Sequence, residues 1–301
     1  MKFPDTFISN IRHSFKEKGE DFLASLPALI EDASQRWELT DIQAVPNLSY
    51  NFVAFAECED EKAVLKIGVP NPELTSEMNA LKLFNGDGAC RLFDCDEEKG
   101  FLLIERLKPG KMLAELSDDD ERTHIAIEVM KNLVFRKGGE TPPLQKDFIK
   151  LSDWFDGLKD IRPQFEGGTG PFPKELLEQV EASLPELFAE EPRLLHGDFH
   201  HFNILSSERG WLVIDPKGVI GPAGYEIGPM MLNPWNNSMD ENQLKVQTKR
   251  RIDILQEELG WEREKIVRWS TAHAVLSAWW DYPSGDWDYS LRCAKVFSEI
   301  K

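Results

Sequence analysis

The most informative segment of this chain is HGDFHHFNIL, residues 196–205, followed after a short turn by WLVID, residues 211–215. It places Asp198, Asn203 five residues later, and Asp215 at the end of an apolar run. Phosphoryl transfer requires such a set: a carboxylate accepts the proton of the attacking hydroxyl, while an amide oxygen and another carboxylate hold Mg²⁺ on the ATP phosphates. We therefore predict a β-hairpin that brings the three side chains to one edge.

The segment 196–203 resembles the H-G-D-x-x-x-x-N motif of the aminoglycoside phosphotransferase branch of the protein-kinase-like fold. The continuation IDPKG, residues 214–218, with Tyr-Glu at 225–226, looks most like the streptomycin 6-kinase and hydroxyurea phosphotransferase group. This resemblance covers about residues 42–285. It implies ATP and Mg²⁺ as cofactors and assigns three roles: catalytic base to Asp198, and metal ligands to Asn203 and Asp215.

Two residues far upstream fit the same chemistry. Lys66 lies in the alternating run AVLKI, residues 63–67, where a kinase needs a cation for the α- and β-phosphates. Glu77 follows eleven residues later on a predicted helix, in a position to pair with that lysine. Taken singly, a solvated strand lysine and an exposed helical glutamate remain the alternative.

The order of elements predicts an α+β, bilobal protein-kinase-like fold. Residues 42–107 favour the order β, β, β, α, β, β, with the helix at 72–84, and two short helices interrupted near Pro27 precede them. Residues 1–107 then form a small antiparallel-sheet lobe, and residues 108–301 a larger, mainly helical lobe. Candidate helices in the second part lie near 118–136, 146–160, 173–189, 240–258 and 262–280, with connectors at 138–144 and 166–173.

On the nucleotide side, the resemblance implies that backbone groups near Glu105 and Leu107 bind the adenine edge; a plain core strand is the alternative. No G-x-G-x-x-G occurs in the first hairpin, where the sequence is PNLSYN, residues 46–51. Ser49 and Asn51 are the side chains there that could donate to phosphate.

On the acceptor side, Glu226 and the Trp-rich segment 279–289 combine carboxylates with aromatic faces. Such surroundings suit a cationic small molecule, so Glu226, Trp280 and Asp281 are candidate substrate contacts. The alternative is that the tryptophans pack in the core while the acids are solvated.

The composition of the chain disfavours several other functions and locations. The chain has 301 residues, and 35 basic against 53 acidic side chains give a net charge of −18, which disfavours binding to nucleic acid or anionic lipid. No signal peptide or membrane span is visible, so we expect a cytoplasmic protein with reduced cysteines. Zinc binding by His196 and His200 is disfavoured, because Gly197 and β-like residues replace the helical H-E-x-x-H pattern.

The sequence therefore predicts an ATP-dependent small-molecule O-phosphotransferase, acting by resemblance on an aminoglycoside such as streptomycin. Hydroxyurea or a housekeeping metabolite is the alternative acceptor. A nucleotide-binding regulator without turnover is a third hypothesis. The sequence leaves the oligomeric state and the choice of ATP or GTP open.

Overall fold

The computed structural model describes residues 3–59, 61–134 and 148–300. Its helices are α1 (Asp5–Arg36), α2 (Pro72–Phe84), α3 (Asp119–Val134), α4 (Leu151–Asp156), α5 (Ile161–Gln164), α6 (Lys174–Leu187), α7 (Ile227–Leu232), α8 (Glu241–Leu259), α9 (Arg263–Asp281) and α10 (Asp288–Ser298). Its strands are β1 (Thr40–Ala44), β2 (Phe52–Cys58), β3 (Glu61–Ile67), β4 (Leu92–Asp96), β5 (Phe101–Glu105), β6 (Pro109–Met112), β7 (Ile149–Lys150), β8 (Pro192–Leu195), β9 (Ile204–Ser207), β10 (Gly210–Val213) and β11 (Val219–Pro222). The predicted α+β class is confirmed.

The first five strands form one antiparallel sheet in the order β1-β2-β3-β5-β4, with α2 inserted between β3 and β4 in the chain. This is the predicted order of elements. Alternation along β3 separates the two faces: Leu65 and Ile67 pack toward α1, whereas Val64 points to the face covered by α2. Lys66 lies between two residues of the α1 face and therefore projects toward α2.

Local sequence explains where α2 begins and ends. The side chain of Asn71 accepts hydrogen bonds from the N–H groups of Glu73 and Leu74, and Pro72 occupies the first turn. Both features satisfy or remove donors that a helix start leaves unpaired. Asn85 ends the helix in the left-handed conformation. The bounds match the predicted helix at 72–84.

The segment around residue 200 forms the predicted hairpin. Strands β9 and β10 are antiparallel, with Val213 opposite Ile204, and β6 pairs with the other edge of β9. A second small sheet has the order β7-β11-β8. The division of the chain after residue 107 stays a prediction; β6, directly beyond it, pairs with the hairpin.

The helical part is built around α9, which is buried from Trp269 to Ala278. The predicted helices near 118–136, 173–189, 240–258 and 262–280 correspond to α3, α6, α8 and α9. The expected helix at 146–160 is wrong in extent, since regular α-helix there is confined to α4. The connector expected at 138–144 lies outside the described residues.

The expected break near Pro27 is also wrong. Pro27 lies inside α1 with helical backbone on both sides, whereas the non-helical residue is Lys16, with φ 51° and ψ −123°. A proline removes one hydrogen bond from the preceding turn but does not always end a helix. None of the described helices combines the length and apolarity needed to cross a membrane.

Gly218 joins the hairpin region to α2. Its φ is +63°, its carbonyl accepts a hydrogen bond from Ser76 Oγ at 2.6 Å, and a Cβ atom there would lie 2.4 Å from the backbone oxygen of Ser76. We expect Gly218→Ala to reduce the free energy of unfolding by about 2 kcal/mol or more, through left-handed strain and displacement of α2. Urea unfolding measures this.

Gly157→Ala is the matched control, because its φ is ordinary and a Cβ there meets no atom within 4 Å. Equal stability of the two variants would contradict the close approach at Gly218.

Candidate functional site

A buried ion pair links the sheet to α2. Lys66 Nζ lies 2.7 Å from both carboxylate oxygens of Glu77, and 3.2 Å from Oδ1 of Asp215. The side chains of Lys66 and Glu77 are 5% and 9% exposed. Burial lowers the pKa of Lys66, but the carboxylates of Asp215 and Glu77 raise it more, and the resulting pKa lies above the ordinary value. The ammonium therefore stays charged, as the sequence-based pairing requires.

Asp215 reaches this lysine through an unusual backbone conformation. β10 ends at Val213, Ile214 N–H donates to the Asn203 carbonyl at 2.9 Å, and Asp215 then adopts φ 56°. Aspartate tolerates this left-handed region better than most residues. Burial raises the pKa of Asp215, while the charge and hydrogen bond of Lys66 lower it below the ordinary value. The carboxylate is 47% exposed and ionised.

Asp198 and Asn203 lie together in the loop between β8 and β9. Asn203 Nδ2 donates to the backbone oxygen of Asp198 at 3.0 Å and to its Oδ2 at 3.3 Å, and His200 Nε2 lies 3.4 Å from Asp198 Oδ1. Burial raises the pKa of Asp198, but the charges of His200 and Lys217 lower it below the ordinary value. The carboxylate is therefore ionised, with one side held by Asn203.

His196 braces this loop from below. It is fully buried; its Nε2 donates to the Ile214 carbonyl at 2.8 Å, and its Nδ1 accepts from the Asp198 N–H at 3.2 Å. Both ring nitrogens are therefore used, which rules out His196 as a zinc ligand in this arrangement. Gly197 follows with φ +82°, and a Cβ there would lie 2.7 Å from the side chain of Val219.

The expectation that Glu226 contacts a substrate is not met. Glu226 is fully buried, and its two oxygens accept hydrogen bonds from the N–H groups of His196 at 2.5 Å and Gly197 at 3.2 Å. Burial raises its pKa to about 8, although these two amides lower it. Because Glu226 bonds to the backbone of His196 and Gly197, it holds the loop between β8 and β9 in place.

One cavity of about 840 Å³ brings most of the predicted nucleotide and metal residues together. Among its lining residues are Ser49, Lys66, Glu77, Asp198, Asn203, Asp215 and Lys217, with Asn51 beside Ser49. Ser14 and Phe15 of α1 line the same cavity. Sequence reasoning missed these two, because nothing in the local sequence of an amphipathic helix indicates which distant loop it meets.

The oxygen donors in this cavity fit a magnesium ion. The amide nitrogen of Asn203 faces Asp198, which leaves its amide oxygen for a cation, and the Asp215 carboxylate is half-exposed. Mg²⁺ prefers such oxygen ligands and completes its shell with water and phosphate. Among the described residues there is no cluster of three His, Cys, Asp or Glu side chains arranged to hold a metal.

Glu105 is the last residue of β5 and Leu107 follows it, and neither is among the residues that line the cavity. The Glu105 N–H donates to the Arg91 carbonyl at 2.9 Å, and its carboxylate pairs with Arg209. Leu107 is buried against Leu102 and Ile104. In the part of the chain that the structure describes, its N–H has no hydrogen-bond partner. Because its carboxylate pairs with Arg209, the side chain of Glu105 supports the end of the strand rather than a ligand.

Trp280 lies at the end of an aromatic cluster that it forms with Trp154, Tyr225 and His273. It is 46% exposed and packs edge-on against Trp154 at 5.4 Å and His273 at 6.5 Å between ring centroids. His273 Nδ1 lies 3.0 Å from the hydroxyl of Tyr225. Burial lowers the pKa of His273 to about 3, although the negative charge of Asp198 raises it. Sequence reasoning missed His273, because it occupies an ordinary position in an apolar helix.

Asp281 follows on the same helix and is less clearly directed to the cluster. Its Oδ2 accepts a hydrogen bond from Ser277 Oγ at 3.4 Å, and its backbone oxygen accepts one from Ser284. Burial raises its pKa, and the hydrogen bond from Ser277 lowers it in part. The structure thus places Trp280 in a cluster with Trp154 and His273 and leaves Asp281 at the end of α9.

The buried histidines predict a loss of stability in acid. Burial lowers the pKa of His196 to about 4 and that of His273 to about 3, so the unfolded chain binds protons there near pH 6.5 and the folded chain does not. Stability present at pH 7 is then lost as the pH falls from about 6.5 toward 4, by about 1.4 kcal/mol per pH unit for each histidine. Urea unfolding at pH 7, 6 and 5 measures this slope.

His196→Gln removes one of these sites, so its slope is smaller whatever its absolute stability. His13→Gln, at an exposed position, is the control with the wild-type slope. A slope in His196→Gln equal to that of the wild type would contradict the neutral, buried state of His196.

Three comparisons with known proteins agree with this geometry. The chain is 29% identical over 289 residues to a streptomycin 6-kinase of Streptomyces glaucescens, covering 95% of this chain and 92% of that one. It is 30% identical over 272 residues to a hydroxyurea phosphotransferase of Kitasatospora aureofaciens, covering 89% and 76%.

Solved structures share the fold at low identity. The choline kinase LicA of Streptococcus pneumoniae aligns with a TM-score of 0.63 and 14% identity, covering 92% of this chain and 100% of that one. A thermostable mutant of aminoglycoside phosphotransferase APH(4)-Ia, with ADP and hygromycin B, aligns with a TM-score of 0.59 and 12% identity, covering 89% and 97%. The protein-kinase-like fold predicted from the sequence is confirmed.

A family model described as aminoglycoside/hydroxyurea antibiotic resistance kinase matches residues 36–285. The match contains the sheet, α2, the hairpin and the aromatic cluster. By its sequence, its fold and the residues around its cavity, this chain belongs to the aminoglycoside/hydroxyurea antibiotic resistance kinase family.

Proposed function

We propose that this protein transfers a phosphoryl group from Mg·ATP to a hydroxyl of an aminoglycoside, with streptomycin as the first acceptor to test. The observation that carries the proposal is the meeting of the Lys66–Glu77–Asp215 cluster with Asp198 and Asn203 around one cavity. Support for the acceptor comes from the relatives named streptomycin 6-kinase, which match nearly the whole chain.

In this proposal each side chain has one task. Asp198 accepts the proton of the acceptor hydroxyl as its oxygen attacks the terminal phosphorus, and the bond from that phosphorus to the ADP oxygen breaks. Lys66, oriented by Glu77, binds phosphate oxygens, and Asn203 and Asp215 hold Mg²⁺. The metal supplies neutralisation of phosphate charge when bound. Ser49, which lines the same cavity, donates a hydrogen bond to phosphate, and backbone groups near Glu105 and Leu107 bind the base.

The ionisation states suit this chemistry. The pKa of Asp198 lies below its ordinary value because the electrostatic interactions with His200 and Lys217 outweigh the effect of burial. The base is therefore deprotonated at neutral pH, and it forms no direct ion pair with Lys66, which contacts Glu77 and Asp215 instead. One cavity therefore holds both a carboxylate that Lys66 does not contact, Asp198, and a lysine whose charge is compensated by Glu77 and Asp215.

The acceptor proposal rests on the aromatic cluster. An exposed Trp280 next to a neutral His273 offers a π face to a cationic ring substituent, near the carboxylate of Asp198. The acidic surface of the whole chain favours the approach of a cation. Hydroxyurea is the second candidate acceptor, because a hydroxyurea phosphotransferase is 30% identical to this chain.

The first experiment measures ADP release from Mg·ATP with streptomycin, other aminoglycosides, hydroxyurea and simple amino alcohols. We expect one compound to stimulate release, and Asp198→Asn to lower kcat by a factor of about 10² to 10⁴ while nucleotide binding persists. Asp32→Asn, an exposed residue paired with Lys99, is the control with normal turnover.

A normal rate in Asp198→Asn would remove Asp198 as the base. Nucleotide binding without stimulation by any compound would favour the non-catalytic regulator or an acceptor outside this set.

Trp280→Ala tests the acceptor side separately. Loss of a cation–π contact raises KM for the acceptor about fivefold and leaves KM for ATP unchanged. Trp235→Ala is the matched control, since Trp235 is 45% exposed and packs on Tyr289 instead. Equal acceptor KM values in both variants would place the acceptor elsewhere.

A further inference from the structure

Helix α1 is interrupted at Lys16, whose backbone adopts a strained conformation. Lys16 has φ 51° and ψ −123°, outside the helical region, although the residues on either side are helical. A side chain with a Cβ in this region costs of order 1–3 kcal/mol, and such strain is typically retained at functional sites. The position is not needed to end the helix, which continues to Arg36.

The break folds the two halves of α1 back on each other. Arg12 Nε lies 2.7 Å from Glu20 Oε1, and a Cβ at Gly19 would lie 2.5 Å from the backbone oxygen of Ile11. Residues eight apart in a straight helix would be separated by about 12 Å along the axis. Helix α1 is therefore a helical hairpin, and we call residues 13–18 the α1 tip.

The α1 tip points into the cavity of the proposed active site. Ser14 and Phe15 line this cavity together with Lys66, Asp198 and Asp215. Just before the tip, Asn10 Nδ2 donates to the Ser49 carbonyl at 3.4 Å, and this hydrogen bond connects the helical hairpin of α1 to the β1–β2 loop. Buried Phe7 and Phe22, one on each half, anchor the hairpin in the core beneath the sheet.

The α1 tip carries groups that can bind phosphate, whereas the β1–β2 loop lacks the glycines that serve this purpose in kinases. In kinases a glycine-rich loop covers the phosphates with its backbone N–H groups, but residues 46–51 contain no glycine. The α1 tip carries Lys16 and Lys18, both exposed. Within the described residues the hydroxyl of Ser14 has no hydrogen-bond partner. The Ser14 hydroxyl lines the cavity together with Asp198 and Asp215, and Lys16, Glu17 and Lys18 follow it along the tip. A hydroxyl donor with lysine ammonium groups close by is the kind of set that binds phosphate oxygens.

We propose that the α1 tip is a phosphate-binding element of the nucleotide site, in which Ser14 donates to a phosphate oxygen and Lys16 supplies positive charge. The proposal rests on the proposed function for its nucleotide. The element lies outside residues 36–285, the range matched by the family model. The strained turn at Lys16 is what presents Ser14 and Phe15 to the cavity.

Calorimetric binding of Mg·ATP and of adenosine tests this without turnover. We expect Ser14→Ala and Lys16→Gln each to weaken Mg·ATP binding about tenfold, because each loses an interaction with a charged phosphate. Adenosine, which has no phosphate, binds all forms equally. Ser25→Ala is the matched control, since Ser25 is exposed on the second half of α1 and bonds only to its own helix.

Hydrogen–deuterium exchange gives a second readout on the unmodified chain and on Asp198→Asn. Mg·ATP is expected to slow exchange in peptides covering the α1 tip in both, and adenosine is not. Wild-type Mg·ATP affinity in both tip variants, with unchanged exchange at residues 13–18, would overturn the proposal.

The outcomes also separate the two proposals. Protection of the α1 tip by Mg·ATP with no acceptor phosphorylated would overturn the proposed function and leave this one standing. Absence of Mg·ATP binding would overturn both.

Discussion

The ammonium of Lys66 is buried where water cannot solvate it, and the arrangement of the cavity depends on how that charge is compensated. Glu77 comes from α2, and Asp215 comes from the end of the β9–β10 hairpin, 149 residues after Lys66. Removing one partner of such a buried pair typically costs about 3–5 kcal/mol. The sheet, α2 and the hairpin are therefore held in the one relative placement that brings both carboxylates to the lysine.

A second set of buried polar contacts supports the loop between β8 and β9, which carries Asp198 and Asn203. Glu226 accepts the N–H groups of His196 and Gly197, while the His196 ring joins the Asp198 N–H to the Ile214 carbonyl. Polar groups without water must find protein partners. Because these backbone groups are satisfied from below, the side chains of Asp198 and Asn203 are left to face the cavity.

The residues proposed for phosphate and those proposed for the acceptor differ in kind. The proposed phosphate residues are charges in fixed contact, whereas the proposed acceptor residues are Trp280 and a neutral His273. Aromatic faces tolerate many cationic shapes, and a fixed charge cluster accepts essentially one phosphate geometry. This contrast explains why families with common phosphate chemistry differ in acceptor.

Local sequence was enough for features whose cause is local. Short β-like runs predicted β2, β3 and β5, Pro72 and the helical spacing of apolar residues predicted α2, and the contiguous motif at 196–203 placed Asp198 beside Asn203. The roles of these residues stay proposals. The sequence could not place the turn at Lys16 or the burial of Glu226, and it showed no sign of Ser14 in the cavity or of His273 beside Tyr225. Each of these depends on contacts between distant segments, so only the packed tertiary structure decided them.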